Sequence, residues 1–173
     1  DAARAMFAGR RVERAERSIL LSAARSALFN RVLARRIEDG SWDQLCPGDV
    51  AQLDGSGSIF GPIEPDEALV LRCAELDIHP TGPLWGSGEL RCGAAVAALE
   101  TAVAAGEPQI VAGLVAAGLR HERRSLRVRV AALQARFEDS DVLRLSFGLP
   151  AGSYATSLLR ELMVVARPAL AEG

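Results

Sequence analysis

Alternation in the last fifty residues constrains this chain most. Leu126, Val128 and Val130 alternate with Arg127 and Arg129, and Leu133, Ala135 and Phe137 alternate with Gln134, Arg136 and Glu138. A period of two places one set of side chains on each side of a pleated strand, so strand residues with one buried face are predicted across Ser125 to Glu138. Asp139-Ser140-Asp141 reads as the turn. Leu143, Leu145 and Phe147 carry the apolar face on through Val142 to Gly148, until Pro150, which has no N–H to donate, stops the ladder. Gly152-Ser153-Tyr154-Ala155-Thr156 then leads into an amphipathic helix expected over about 153–166. It sets Leu158, Leu162 and Val165 on one face and Arg160 and Arg167 on the other.

With 173 residues, 49% of them hydrophobic and 24% charged, the chain has ample material for a core. No apolar run approaches the roughly 20 residues that cross a bilayer, and no charged-then-apolar leader opens the sequence, so a soluble cytoplasmic protein is expected. Cys46, Cys73 and Cys92 are odd in number and widely spaced, without Cys-x-x-Cys or a nearby His pair. They read as small core residues rather than a disulfide framework or a metal site. The chain opens at Asp1 without Met, and Ala2, Ala3, Ala5, Met6 and Phe7 already look like the inside of a helix, so an upstream segment is expected.

All 20 basic residues are Arg. Residues 1–36 hold nine against three acids, residues 37–119 two against thirteen, and residues 120–173 nine against six. Basic ends suit phosphate, for which the planar guanidinium is well shaped. The competing expectation is that these Arg side chains pair with the acidic middle on folding.

A long helix is predicted from Arg14 to Glu38, ended by Gly40, with Ile19, Phe29, Leu33 and Ile37 on one side. The other side mixes Arg17, Arg25, Arg31, Arg35 and Arg36 with Leu21, Leu28 and Val32. Asp49 to Leu53 and Ser58 to Phe60 read as strands joined by Asp54-Gly55-Ser56-Gly57, a hairpin turn rather than a phosphate cradle, which would need different spacing and a following helix. A helix from Pro65 to about Leu76 carries Asp66 and Glu67 at its N-terminal end. Asp77 to Glu89, rich in Pro and Gly around Trp85, is expected to be an ordered loop with Trp85 as its anchoring plug. Two Ala-rich helices follow, about Gly93 to Ala105 and Pro108 to Ala117, stopped by Gly118. His79 and His121 have no ligand partners at metal spacing.

Several of these segments, in order, resemble motifs of the tRNA pseudouridine synthase D (TruD) family. Leu20-Leu21-Ser22-Ala23-Ala24-Arg25-Ser26-Ala27-Leu28-Phe29-Asn30 is similar to the helix that opens the family's insertion domain. Pro47-Gly48-Asp49-Val50, Asp54-Gly55-Ser56-Gly57-Ser58, Ile78-His79-Pro80-Thr81-Gly82-Pro83-Leu84-Trp85-Gly86 and Leu119-Arg120-His121-Glu122-Arg123-Arg124 resemble its later motifs. Pro150-Ala151-Gly152-Ser153-Tyr154-Ala155-Thr156-Ser157-Leu158-Leu159-Arg160-Glu161-Leu162 resembles its last active-site motif.

The resemblance implies an α+β protein: a mainly helical insertion domain with a small hairpin over 10–123, then antiparallel strands and a helix over 124–173, joined by 1–9, that belong to a larger catalytic sheet. It also implies an enzyme that isomerises uridine 13 in the D arm of tRNA to pseudouridine, without cofactor or metal. In such enzymes an aspartate attacks the nucleotide, and the detached base is turned and rejoined through carbon after being flipped from its stack. A nearby Arg keeps that aspartate ionised. Arg160 matches the family residue in this role, with Tyr154 and Ser153 beside it to line the base pocket. Arg25, Arg31, Arg120, Arg123 and Arg124 are the candidates for tRNA contact. The aspartate belongs to a Gly-Leu-Lys-Asp type motif, and this chain has no Lys; the aromatic Phe-Gly-x-Gln-Arg-Phe-Gly type motif is also absent. The expected partner is therefore an N-terminal catalytic half, without which the chain should be inactive. A non-catalytic RNA-binding module and a structural domain with no nucleic-acid partner are the alternatives.

Overall fold

A computed structural model describes residues 2–164. The expectations for Val165, Ala166 and Arg167 lie outside these. Contacts divide the chain into two units between Arg127 and Val128. The division thus falls four residues later than the sequence suggests, and residues 1–9 go with the first unit. Their helix α1 (Ala2–Phe7) packs on α2 (Arg14–Glu38) and on α5 (Pro108–Ala116).

The first unit is built on a four-stranded antiparallel sheet in the order β2 (Ile59–Phe60), β1 (Ala51–Leu53), β3 (Ile78–Leu84), β4 (Glu122–Ser125). The β1–β2 hairpin turns at residues 54–57, as its glycines foretold, with Gly55 at φ 65°. Helix α3 (Glu67–Ala74) begins where the Asp66 side chain accepts from the Leu69 N–H at 2.8 Å, an N-cap that satisfies one orphan donor of the first turn. The Ala-rich helices are α4 (Ala94–Ala105) and α5.

Three sequence expectations are corrected. Residues 78–84 are not loop but strand β3, despite Pro80 and Pro83. The strand pairs with β1 only along Ile78 to Pro80 and with β4 only along Thr81 to Leu84. Each residue thus has a named ladder on one side alone, and a proline tolerates that edge-like position. The strand predicted from Ser125 to Glu138 forms only in part: Ser125 ends β4 of this sheet, residues 126–130 lie in no strand, and β5 (Ala131–Asp139) belongs to the second unit. The chain breaks where Ser125 Oγ bonds to the Arg127 backbone and the Arg127 side chain turns inward.

The third correction is the buried stripe of α2. Ala24, Leu28, Phe29, Val32 and Arg36 are buried, while Ile19 and Ile37 are 69% and 54% exposed. The face that mixes Arg with apolar residues is the one that packs, because its Arg side chains find acceptors inside. Leu28 and Leu114 meet Ala3, Ala24 and Ile110 in one core cluster, with Trp85 against it; Ala51, Ile63, Cys73 and Ile78 form a second. Each fully buried Leu or Ile contributes roughly 1.5–3 kcal/mol.

The second unit is a ribbon of β5 and β6 (Val142–Gly148), antiparallel with Phe137 opposite Leu143 and Ala135 opposite Leu145, followed by α6 (Ala155–Leu162).

Candidate functional site

Inside the first unit, arginines from the basic ends are drawn onto carboxylates of the acidic middle. Arg36 of α2 holds Asp49 through two 2.8 Å bonds and also donates to the Ser41 and Gln44 carbonyls. Burial lowers the Arg36 pKa, but the hydrogen bonds and charge of Asp49 outweigh it, so the pKa stands above the usual arginine value. Arg4 and Arg31 both reach Glu107, whose carboxyl is held below the usual range, chiefly by the Arg4 hydrogen bonds against the effect of burial.

Of the five candidate RNA contacts, three hold a carboxylate. Arg31 pairs with Glu107. Arg25 donates to Trp85 O at 3.1 Å, Leu84 O at 2.9 Å and Arg120 O at 2.7 Å, and pairs with Glu122 at 3.1 Å. Arg123 is a correction: its side chain is fully buried, bonded to Glu100 at 2.7 and 3.0 Å and to Thr81 Oγ1 and O at 2.8 Å each. It cannot meet solvent or phosphate without leaving the carboxylate of Glu100 uncompensated, a loss of order 3–5 kcal/mol. Arg120 and Arg124 are exposed and lack a carboxylate partner among the described residues. Arg124 sits with its guanidinium carbon 4.0 Å from the centroid of the Phe29 ring.

Sequence reasoning missed the cluster around Arg127, because residues far apart in the chain build it. Arg127 donates from Nε to His79 Nδ1 at 3.0 Å, and to the carbonyls of Asp43, Ile78 and Cys73. Nδ1 is therefore an acceptor, so the proton of neutral His79 sits on Nε2 and is donated to Asp54 Oδ1 at 2.9 Å. This partly buried chain of hydrogen bonds fixes the last residue of the unit. Cys73 and Cys92 are not poised as nucleophiles. Burial raises the thiols of Cys73 and Cys92, the latter to about 11, so neither is a thiolate near neutrality. Cys73 is buried as expected, whereas Cys46 and Cys92 are only half-buried. No cluster of potential metal ligands occurs among the described residues.

In the second unit, Pro150 to Gly152 turn the chain, with the Ser153 N–H donating to Pro150 O at 3.1 Å and Gly152 at φ 87°. Tyr154 stands just before α6 and is 75% exposed; Ser153 is half-buried and Arg160 exposed. Leu158 and Leu159 are half-buried. A tyrosine, a serine and an arginine are thus presented together at one turn and the helix it starts.

Fold and element order together define an α+β protein. The model of the family described as tRNA pseudouridine synthase D (TruD) matches residues 2–162. The tRNA pseudouridine synthase D of Xanthomonas campestris pv. campestris (strain B100) is 54% identical over 156 residues, covering 88% of this chain and 42% of that protein. That of Stutzerimonas stutzeri (strain A1501) is 49% identical over 155 residues, covering 90% and 44%. A crystal structure from Methanosarcina mazei assigned to tRNA pseudouridine synthase D (TruD) superposes with a TM-score of 0.62 at 21% identity, over 87% of this chain and 38% of that one. The chain belongs to the TruD family. It spans less than half the length of the curated relatives it matches. No helix among the described residues is long and apolar enough to cross a membrane.

Proposed function

We propose that this chain is part of a tRNA pseudouridine synthase that isomerises uridine 13 of the D arm, and that it supplies the insertion domain and the closing segment of the catalytic domain. The 54% identity to a tRNA pseudouridine synthase D over 88% of the chain carries the reading. In it, the first unit is the insertion domain and the β5–β6–α6 segment completes a larger catalytic sheet. Arg160 pairs with the nucleophilic aspartate, lowering its pKa and offsetting its desolvation, while Tyr154 and Ser153 line the pocket for the flipped base. The aspartate comes from a partner segment, since the Gly-Leu-Lys-Asp type motif does not occur in these 173 residues. The chain alone therefore binds without catalysing. Of the five arginines considered for tRNA contact, Arg120 and Arg124 are the two without a carboxylate partner among the described residues, and they are the first we assign to it. The compartment is the cytoplasm, and neither cofactor nor metal takes part.

The test is Arg160→Ala in the complete polypeptide, followed by position-resolved detection of pseudouridine in a tRNA transcript. Loss of a charge-stabilising group at the reacting centre should lower the rate about a hundredfold or more. Transcript affinity should change less than about twofold. An unaltered rate removes Arg160 from the mechanism.

A further inference from the structure

Arg124 differs from three other arginines of its unit. Arg25, Arg36 and Arg123 each hold a carboxylate, whereas Arg124 has none among the described residues and lies beside a second cation, Arg25. The nearby Glu122 is committed to Arg25 at 3.1 Å. Partial burial and the charge of Arg25 lower the Arg124 pKa from the usual arginine value, and the group stays a cation.

Three elements build the seat. Phe29 of α2 is buried, and the Arg124 guanidinium lies over its ring. In the β3–β4 register Arg124 stands opposite Gly82. A Cβ on Gly82 would come within 3.0 Å of Phe29 Cε2 and 2.9 Å of Leu126 Cδ2, so the bare glycine is what admits the ring. Strand alternation sends neighbouring Arg123 to the opposite face, into Glu100. The outcome is a positioned guanidinium on an exposed residue, with its five donors uncommitted to any carboxylate among the described residues. Arginine occupies an aromatic face more often than lysine does, and its planar fork, which lysine lacks, keeps a hydrogen-bonding edge for a bidentate anion.

We infer that Arg124, seated over Phe29 opposite Gly82, is a dedicated contact for a backbone phosphate of the RNA substrate. This rests on the proposed tRNA substrate and singles out one residue and the chemical group it takes. The contact fixes register on the RNA without reading sequence.

The experiment is titration of an unmodified tRNA transcript with the complete polypeptide over a salt series, comparing wild type, Arg124→Gln and Arg124→Lys, with thermal melts as fold control. Removing one phosphate contact should lower the slope of log affinity against log salt by about 0.9 and weaken binding roughly tenfold. The lysine variant should keep the wild-type slope but bind several-fold more weakly, having lost the stack and the fork. A glutamine variant with wild-type slope and affinity overturns the inference. Should that variant fail to fold, the lysine variant decides, and wild-type affinity there overturns it equally. Absence of tRNA binding by the wild type would instead overturn the substrate reading itself, and the inference with it.

Discussion

His121 shows how the interior acts on one side chain. Its ring meets Trp85 edge-on at 5.0 Å, and Nε2 is buried without a hydrogen-bond partner among the described residues. Burial first, then the charges of Arg123 and Arg25, depress its pKa below 6.5. Between the depressed folded value and 6.5 the unfolded chain binds more protons than the folded one, so stability rises with pH through that window. Above 6.5 this contribution is constant. We expect melting temperature to fall on acidification from pH about 7.5 to about 5.5, and His121→Gln to flatten that limb; a limb unchanged by the substitution would place the titration elsewhere. The sequence marked His121 as a residue without metal partners but showed nothing of this environment. It gave the same silence for Arg123 and Arg124, adjacent and chemically identical, one buried on Glu100 and one open over Phe29. Strand alternation separates them, and it became visible only once β4 was known to pair with β3.

Elements were legible wherever local chemistry set them. The glycine turn of the hairpin, the Ala-rich helices and the long α2 all follow from short-range preferences. Strand β3 did not, because its prolines and glycine read as loop and only the split pairing with β1 and β4 admits them. Close approach explains another of its neighbours. A Cβ at Gly86 would lie 2.4 Å from the Arg120 carbonyl carbon and 2.5 Å from its oxygen, and backbone has little room to yield. Gly86→Ala should therefore cost about 1–3 kcal/mol in urea unfolding, the usual price of overpacking. Gly57→Ala, with open space around it, should stay within about 0.5 kcal/mol. Equal effects at the two positions would contradict the close-packed junction.

At the scale of the molecule, the β5–β6 ribbon exposes Phe137 to 70%, with Leu133, Val142 and Leu143 also open. A two-stranded ribbon with an uncovered apolar face is marginal alone and invites pairing or association. We expect the 173-residue chain by itself to associate in size-exclusion chromatography, and Phe137→Ser to reduce that association. A monodisperse, cooperatively melting monomer of the unaltered chain would count against a larger catalytic sheet. The motif order and the period-two strands were present in the sequence and pointed to the family and the α+β class, because both depend on short stretches of chain. The sequence also held the basic ends and the acidic middle. Only the tertiary structure decided what that division does: Arg4 and Arg31 go to Glu107, Arg36 to Asp49 and Arg123 to Glu100, while Arg120 and Arg124 have no carboxylate among the described residues. The reason is that a charge is neutralised by what lies within a few ångströms of it, and the residues that come so close here stand 13 to 103 positions apart along the chain.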